Sequence, residues 1–334
     1  MQNLIKKYVL KHLGGSGAEV PLEALDDSAV IENIVLKSDS HTVKPLFFPG
    51  GDIGRLAVAG TVNDIAMMGA DPVALTSGFI LEEGFPIEDF DRILRSMAET
   101  CVEAGVYIVT GDTKVVEKGA LDKFVINTSG IGMRSEVLDR NIAEVRKYRE
   151  FASRWLLDSN LRDGDKIIVS GTVGDHGLAI LSFREGYGFE TEITSDVAPL
   201  NKLTRRLLGV GGIVKMKDPT RGGLSNTLSE WSEKSSVGIL VHEDQIPVRE
   251  GVRAACEMLG IDPLEVGNEG KIVVAVVPQK ADEVLDELRK TREGRDARLI
   301  GEATKEFNRV VVETSVGGKR VLAPPIGDPI PRIC

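Results

Sequence analysis

The sequence predicts a mixed α/β fold in two domains, followed by an extended C-terminal tail. Two observations carry this prediction: short apolar runs alternate with helical patterns in both halves, and prolines cluster after Ala323. With 334 residues, of which 42% are hydrophobic, the chain is long enough to bury two cores. We expect a first α/β domain at 1–150, a second α/β domain at 151–322 and a flexible tail at 323–334.

In the first half, strand-like runs alternate with two helical patterns. A helix is predicted over 54–69, where nearly every side is apolar, and another over 87–104, where Glu88 and Asp89 follow Pro86 in the first turn. The predicted strands cover residues 29–36, 73–80, 106–110 and 124–131. This order is typical of a sheet that is covered by helices.

The second half repeats this style. Strands are predicted at 166–170, 237–241, 272–277 and 308–313, and helices at 177–185, 198–208, 222–234, 249–260 and 281–291. Residues 134–165 are charged and are predicted to form a helical connector. The prolines after Ala323 exclude a helix or a central strand, so the tail should be an arm. From Pro325 onward it could span roughly 30 Å.

Composition and charge exclude several classes of function. The chain has 41 Lys and Arg against 51 Asp and Glu, a net charge of −10, and no basic run, so we expect no nucleic-acid partner. The apolar stretch 56–80 carries Asp64, Asp71 and Pro72, so we expect no membrane span. Three cysteines form no disulfide framework and no leader pattern opens the chain, which predicts a cytoplasmic protein.

The three cysteines differ in context. Cys101 and Cys256 lie on apolar stripes of predicted helices, so we interpret both as core residues. Cys334 closes the proline-rich arm and has no packing explanation. It is either an idle surface residue or a thiol that the arm can carry into a site.

Acidic residues lie where a ligand could bind. Asp64 interrupts an apolar helix, so it is either in a buried salt bridge or bound to a cation. Asp27, Asp39 and Asp112 lie near strand ends, and Lys114 shares the side of Asp112 in an extended segment. Carboxylates without histidines at metal-ligand spacing favour Mg²⁺ over Zn²⁺, and Mg²⁺ indicates a nucleoside triphosphate.

Three glycine-rich turns in the second half could hold phosphate with backbone N–H groups. They are "SGTVGDHG" (170–177), "KDPTRGGL" (217–224) and "GNEGK" (267–271). None matches a P-loop or a dinucleotide fingerprint, so ordinary turns explain each of them equally well.

Together with the proline-rich tail, several segments resemble the HypE family of hydrogenase maturation proteins. They are "PLFFPGGDIGRLAVAGTVNDIAMMGA", "GFILEEGFP", "IVTGDTKVV", "SGTVGDHG", "DPTRGG", "NEGK" and the closing "PRIC", which is the most specific. The family belongs to the superfamily of aminoimidazole ribonucleotide synthetase, selenophosphate synthetase and thiamine-monophosphate kinase. The resemblance implies an aminoimidazole ribonucleotide synthetase-like fold and a homodimer whose first domains form an intersubunit β-barrel around the ATP sites.

The resemblance also implies an activity. In the family, the carbamoyltransferase HypF loads a carbamoyl group onto the terminal cysteine, here Cys334, and ATP-dependent dehydration turns it into a thiocyanate. The cyano group then passes to the iron of a [NiFe]-hydrogenase precursor on a HypC–HypD scaffold. By resemblance, carboxylates hold Mg²⁺-ATP: Asp27, Asp39, Asp64 and Asp112.

The remaining roles follow from the same resemblance. Asn63 should contact the nucleotide, and Lys114 should stabilise charge on the transferred phosphoryl group. Glu269 is the expected base, with His176 as second candidate. The phosphate or carbamoyl pocket should be lined by Asp218 and Arg221.

One segment departs from the family pattern. Family members begin with a His-Gly-Ser-Gly-Gly-like segment before their first helix. In this chain "GGSG" at 14–17 follows the first predicted helix. The difference in position is expected to lower the affinity for the nucleotide. Two other functions stay open: a superfamily kinase acting on a free small molecule, for which Cys334 is incidental, and a passive carrier that consumes no ATP.

Overall fold

The structure is a computed structural model that describes residues 4–186, 193–327, 329–331 and 333–334. The start of the predicted N-terminal helix (1–3) and Arg332 of the PRIC motif therefore lie outside the described residues. Across these ranges the strands form a five-stranded, a seven-stranded and a two-stranded sheet. The two large sheets come from the first and second halves of the chain, as the alternating pattern predicts.

The first sheet has the order β1-β2-β7-β5-β6, and only its edge pair β5–β6 is parallel. Its strands are β1 (Ala29–Ile31), β2 (Ile34–His41), β5 (Ala70–Glu82), β6 (Tyr107–Val116) and β7 (Phe124–Arg134). A small hairpin precedes the first long helix and consists of β3 (Phe47–Phe48) and β4 (Gly51–Asp52).

Helices cover one face of this sheet and leave the other face open. An N-terminal π-helical turn (Ile5–Val9) leads into α1 (Leu10–Leu13), and the covering helices are α2 (Ile53–Met67) and α3 (Ile87–Ala104). Asp52 caps α2 by accepting hydrogen bonds from the backbone N–H groups of Gly54 and Arg55. Helix α2 is buried almost throughout, because its sides contact both the first sheet and the second half of the chain.

The second sheet has the order β14-β13-β10-β12-β8-β11-β9. Its strands are β8 (Lys166–Val169), β9 (Ile213–Lys217), β10 (Gly238–His242), β11 (Val273–Val276), β12 (Arg298–Thr304), β13 (Val310–Glu313) and β14 (Lys319–Val321). Its helices are α4 (Glu136–Val145), α5 (Asp175–Glu185), α6 (Asn201–Val210), α7 (Gly223–Ser235), α8 (Glu250–Leu259) and α9 (Ala281–Arg289). Strand β11 is buried along its whole length, as its continuous apolar run predicts.

Three predictions of local structure are wrong. The run 29–36 is a β-hairpin, because Glu32 takes a positive φ of 56° and turns the chain between β1 and β2. The connector 134–165 is helical chiefly in α4, and its remainder is irregular because Trp155 and Leu156 insert into the core. Strands β9 and β12 were missed, because lysines and a central glycine interrupt their apolar pattern.

Other predictions are confirmed. Cys101 and Cys256 are buried. Among the described residues after Val321, none is helical or in a strand, although the tail is docked on the protein and is not a free arm. None of the described helices is both long and apolar enough to cross a membrane. The predicted domain limits, 1–150 and 151–322, stay a prediction.

Candidate functional site

Three carboxylates meet where the two halves of the chain join. Asp27 lies in the loop before β1, Asp64 lies on α2, and Asp218 follows β9. One oxygen of each lies within 4.8 Å of the others, which is close enough to share one cation. The sequence predicted metal binding by Asp27 and Asp64, whereas Asp218 was expected to line a phosphate or carbamoyl pocket.

Lysines neutralise part of this cluster. Lys37 Nζ lies 2.5 Å from Asp64 Oδ2, so the buried carboxylate has an ion-pair partner, one of the two possibilities that the sequence left open. Lys215 Nζ lies 2.7 Å from Asp27 Oδ2, and Lys217 Nζ lies 3.1 Å from Asp27 Oδ1. Two of the three carboxylates are therefore paired in the folded chain.

Asp218 is the member of the cluster that has no ion pair among the described residues. Burial raises the pKa of Asp64 to about 7, even with Lys37 beside it. Burial, together with the charges of Asp64 and Asp27, raises the pKa of Asp218 far above its usual range. Asp218 Oδ2 is buried and has no hydrogen-bond partner among the described residues. An oxygen-ligated divalent cation such as Mg²⁺ fits this donor set, because it would satisfy that oxygen and stabilise the ionised acids.

Behind Asp27 lies a buried ion network that joins the two halves. Asp158 is fully buried and lies 3.2 Å from Lys215, 3.1 Å from Lys217 and 2.6 Å from Lys234. Burial alone would raise the pKa of Asp158, but the three ammonium groups outweigh burial and hold this pKa well below its usual value. The network fixes Asp27 against the second sheet.

The C-terminal tail occupies a groove beside the cluster. The side chains of Ile330 and Ile333 are buried, and the carbonyl of Ile333 accepts a hydrogen bond from His176 Nε2 at 2.8 Å. Arg184 Nη1 donates to the carbonyl of Pro331 at 2.8 Å. These contacts bring Cys334 Sγ to 3.9 Å from Arg221 Nη2, so the thiol lies inside the site.

Glu269 lies next to the docked thiol. It is 2% exposed, and its Oε1 finds no hydrogen-bond partner in the part of the chain that the structure describes. Burial, with the nearby charges of Asp218 and Asp196, raises its pKa well above the usual range. In turn, burial and the charge of Glu269 raise the pKa of Cys334 to about 12. The docked thiol is therefore protonated near neutral pH.

Asp39 lies at the rim of the same site. Its side chain is about one-third exposed, and Oδ2 lies 3.8 Å from Nε2 of the buried His41. Its charge contributes to the raised pKa of Asp64 and of Glu269, so it is close to both. The structure therefore brings Asp39 to the cluster.

Asp112 and Lys114 do not join the cluster within one chain. In the register of the sheet, Asp112 pairs with Gly78 and Lys114 pairs with Ile80 on the open face. Asp64, by contrast, belongs to a helix on the covered face. Within one chain Asp112 therefore lies apart from Asp27, Asp64 and Asp218, and its predicted part in holding Mg²⁺-ATP stays a prediction.

Asn63 and His176 are both held by hydrogen bonds within the chain. Asn63 is fully buried, donates to the carbonyl of Ala198 at 3.1 Å and accepts from the backbone N–H of Leu200 at 2.7 Å. This placement makes Asn63 an anchor between the halves, and its nucleotide contact stays a prediction. Both ring nitrogens of His176 are hydrogen-bonded, so it has no open lone pair with which to act as a base.

Several site residues were missed by sequence reasoning. The missed residues are the ion-pair partners that balance the charge of the cluster, and each lies far along the chain from the residue that it pairs with. They are Lys37, Asp158, Lys215 and Lys217. A usable signal was present in "IVKMK" (213–217), where lysines alternate with apolar residues as in a strand that presents charge on one face.

Comparison with known proteins agrees with this architecture. The N-terminal domain of AIR synthase related proteins matches residues 25–134, and the C-terminal domain of AIR synthase related proteins matches residues 162–313. A carbamoyl dehydratase HypE from Azotobacter vinelandii is 47% identical over 94% of this chain and 89% of its own length.

Two solved structures are also similar. The structure of a HypE–HypF complex superposes with a TM-score of 0.87 at 46% identity and covers 96% of this chain and 99% of its own. The structure of the hydrogenase maturation protein HypE in complex with ATP superposes with a TM-score of 0.82 at 42% identity and covers 100% of this chain and 96% of its own.

Proposed function

The chain belongs to the HypE family of hydrogenase maturation proteins, and on this premise we propose that it is an ATP-dependent carbamoyl dehydratase. Its substrate is an S-carbamoyl group on its own Cys334, and its product is a thiocyanate that supplies a cyanide ligand to a [NiFe]-hydrogenase precursor. A similar protein from Azotobacter vinelandii carries the name carbamoyl dehydratase, and another similar protein has been solved with ATP.

One observation carries the proposal: the tail places Cys334 Sγ beside Arg221 and Glu269, at the edge of the carboxylate cluster. A kinase acting on a free small molecule gives no reason for the tail to fill this position. A passive carrier gives no reason for a buried, unpartnered base and a cation-binding cluster to lie next to the carried group. The dehydratase requires all three features in one place.

The carboxylate cluster provides for a magnesium–nucleotide complex. Asp27, Asp64 and Asp218, with Asp39 at the rim, would hold Mg²⁺, which neutralises phosphate charge and orients the transferred group when it is bound. Asp64 and Asp27 now pair with Lys37 and Lys217, and these carboxylates would share their charge with the cation when it is bound.

The chemistry divides between phosphoryl transfer and elimination. Transfer of the γ-phosphoryl group of ATP to the carbamoyl oxygen, with loss of one N–H proton, converts that oxygen into a good leaving group. The C–O bond then breaks, phosphate departs and the second N–H proton is lost, which leaves S–C≡N. We assign both steps to the ionised carboxylate of Glu269, whose buried Oε1 has no hydrogen-bond partner among the described residues. It takes the first N–H proton during phosphoryl transfer, returns that proton to the phosphate oxygen as the C–O bond breaks, and then takes the second N–H proton. Arg221 balances charge at the carbamoyl group.

The open face of the first sheet supports a homodimer. It exposes a continuous set of apolar side chains: Ile34, Leu36, Ile80, Tyr107, Ile131 and Met133. A second copy that covers this face would bury it and would close the two sheets into the β-barrel that the family resemblance implies. Lys114 lies on this face, so we propose that it acts at the active site of the partner subunit and stabilises phosphoryl charge there.

Other partners follow from the family. A similar protein has been solved in complex with HypF, so a carbamoyltransferase of that kind is the proposed donor of the carbamoyl group. The HypC–HypD scaffold is the proposed acceptor of the cyano group. We propose that these steps take place in the cytoplasm.

The test follows the mass of the C-terminal peptide. Carbamoylated protein that is incubated with Mg²⁺ and ATP should lose the mass of one water at Cys334 and release phosphate in equal amount. The Glu269→Gln variant should accept the carbamoyl group but should not dehydrate it, because the amide cannot take up the N–H protons.

A matched control is Glu257→Gln, which changes an exposed acid on α8 and should dehydrate at the normal rate. Cys334→Ala should neither carry the adduct nor release phosphate. Full ATP turnover by Cys334→Ala on a free metabolite would instead favour the kinase, and dehydration by Glu269→Gln at the normal rate would remove that residue from the mechanism.

A further inference from the structure

The geometry points to His176 as a positioning residue that holds the C-terminal tail by the carbonyl of Ile333 and thereby sets Cys334 in the site. Only the expected effect of His176 on the dehydration step rests on the proposed function. The contact itself is a property of the folded chain, and its test needs neither nucleotide nor a carbamoyl group.

The hydrogen bonds of His176 fix its tautomer. A carbonyl oxygen can only accept, so Nε2 carries the proton and donates it to Ile333 at 2.8 Å. Nδ1 therefore accepts from Ser195 Oγ at 2.7 Å, and Ser195 Oγ in turn accepts from the backbone N–H of Val197 at 3.1 Å. The ring also packs edge-on against Phe48, with ring centroids 5.6 Å apart. Contacts on three sides hold the imidazole in the one orientation that presents Nε2–H to the tail.

The groove around His176 is shaped for the two isoleucines of the tail. A Cβ added at Gly267 would lie 2.7 Å from the Ile333 side chain, and a Cβ added at Gly177 would lie 3.3 Å from Ile330 and 3.6 Å from Ile333. A side chain at Gly267 would also meet the carbonyl oxygen of Thr220 at 2.7 Å, and one at Gly177 would meet Val266 at 2.6 Å, so the two glycines keep space that the tail shares with its neighbours. The side chains anchor the tail, and the bond from His176 fixes the backbone one residue before the reacting sulfur.

The consequence is a docked state that suits a capped thiol. Glu269 and Asp39 oppose a thiolate at the position of Cys334, whereas an S-carbamoyl group is neutral. The bond from His176 to the Ile333 carbonyl and the contacts of the two isoleucines do not involve the sulfur, so they can hold the loaded tail as they hold the free one. A residue that acts through the backbone in this way is expected to change the dehydration step and not the loading step.

The test measures how fast iodoacetamide alkylates Cys334, with the buried Cys101 and Cys256 as reference thiols in the same molecule. We expect His176→Ala to increase the rate at Cys334 about two- to tenfold, the effect of losing one buried hydrogen bond. His176→Gln keeps an N–H donor and should restore protection. His242→Ala is the matched control, because that histidine pairs with Glu313 at 3.1 Å on β10 and β13. Unchanged alkylation in a folded His176→Ala protein would overturn the inference.

A second measurement leaves His176 in place, in case the alanine variant does not fold. In ¹⁵N-histidine-labelled protein, the Nε2–H of His176 should exchange slowly in the full chain and rapidly in a chain that ends at Pro331. Persistence of slow exchange after removal of the tail would refute the bond. With carbamoylated protein in single turnover, His176→Ala should load normally but dehydrate more slowly than His176→Gln. A protein that shows the alkylation effect but never dehydrates would refute the proposed function and leave the positioning role standing.

Discussion

Replacing Lys215 by Met should destabilise the fold more than any surface charge change, because this ammonium group is fully buried among acids. Its Nζ lies 2.7 Å from Asp27, 3.2 Å from Asp158 and 3.6 Å from Asp26. Methionine keeps the length of the side chain but removes the charge, and the acids stay buried without this partner. Removing one member of a buried ion network costs about 3–5 kcal/mol, a large fraction of a typical stability of about 5–15 kcal/mol.

The assay is urea unfolding at pH 7, followed by tryptophan fluorescence, since Trp155 and Trp231 are both buried in the core next to this network. Lys290→Met is the matched control. Lys290 pairs with Glu287 at 3.0 Å on the surface, and its loss should cost less than about 1 kcal/mol. If Lys215→Met unfolds at the same urea concentration as this control, the network does not stabilise the junction as argued.

The pH dependence of the free energy of unfolding tests independently whether the network stabilises the fold. The pKa of Asp158 is held below its unfolded value, so its contribution to stability is present above that value, about 3.9, and is lost as the pH falls below it. In Lys215→Met one of the three ammonium groups around Asp158 is missing, so ionised Asp158 stabilises the folded variant less. Protonation of Asp158 in acid therefore costs the variant less stability than it costs the original protein. The stability deficit of Lys215→Met should accordingly be largest at neutral pH and should narrow as the pH falls below about 4. A deficit that widens in acid would contradict this reasoning.

Two further predictions concern the homodimer. Ile131→Glu places a charge on the open sheet face and should convert the proposed dimer into a monomer in sedimentation velocity. Val102→Glu on α3 changes a residue that is exposed on another surface and should leave the dimer intact. A dimeric Ile131→Glu protein would show that another surface is used. Lys114→Ala and Glu269→Ala homodimers should each fail to dehydrate the carbamoyl group. A mixture that has exchanged subunits should recover part of the activity. The reason is that one of the two sites of the mixed dimer then has both Lys114 from one subunit and Glu269 from the other. No recovery in a verified mixed dimer would place both residues in the site of one chain.

Much of the fold was predictable because the local signals were strong. Helix α3 has a sharp apolar stripe and a proline before its first turn, and the structure gives it the predicted limits, Ile87–Ala104. Strand β12 was missed, although it lies inside the second sheet, because Gly301 and Glu302 interrupt its apolar run. Gly301 is required there, since a Cβ would come within 2.0 Å of the carbonyl oxygen of Leu240. That requirement comes from the neighbouring strand and cannot be deduced from the run itself.

The candidate site was predictable in its residue types but not in its pairing. Asp64 in an apolar helix had to have a cationic partner, yet nothing in the sequence identifies Lys37 on β2 as that partner. The sequence did not predict that Asp218 joins Asp27 and Asp64, because it lies far from both along the chain, and only the sheet register shows that Asp112 faces away from them. The family resemblance made His176 the second candidate base after Glu269, but the sequence could not show that Ser195 and Ile333 would occupy both of its ring nitrogens.

The junction between the halves also sets an order on how the protein matures during synthesis. Asp27 and Asp64 leave the ribosome early. The third carboxylate, Asp218, and the two lysines that pair with Asp27, Lys215 and Lys217, are translated much later. A nascent chain that has only its first sheet therefore has no complete cation site, because Asp64 already has Lys37 beside it but Asp27 still lacks the lysines of β9. Nucleotide binding can begin only after the second sheet has closed on the first, so truncated translation products should be unable to consume ATP.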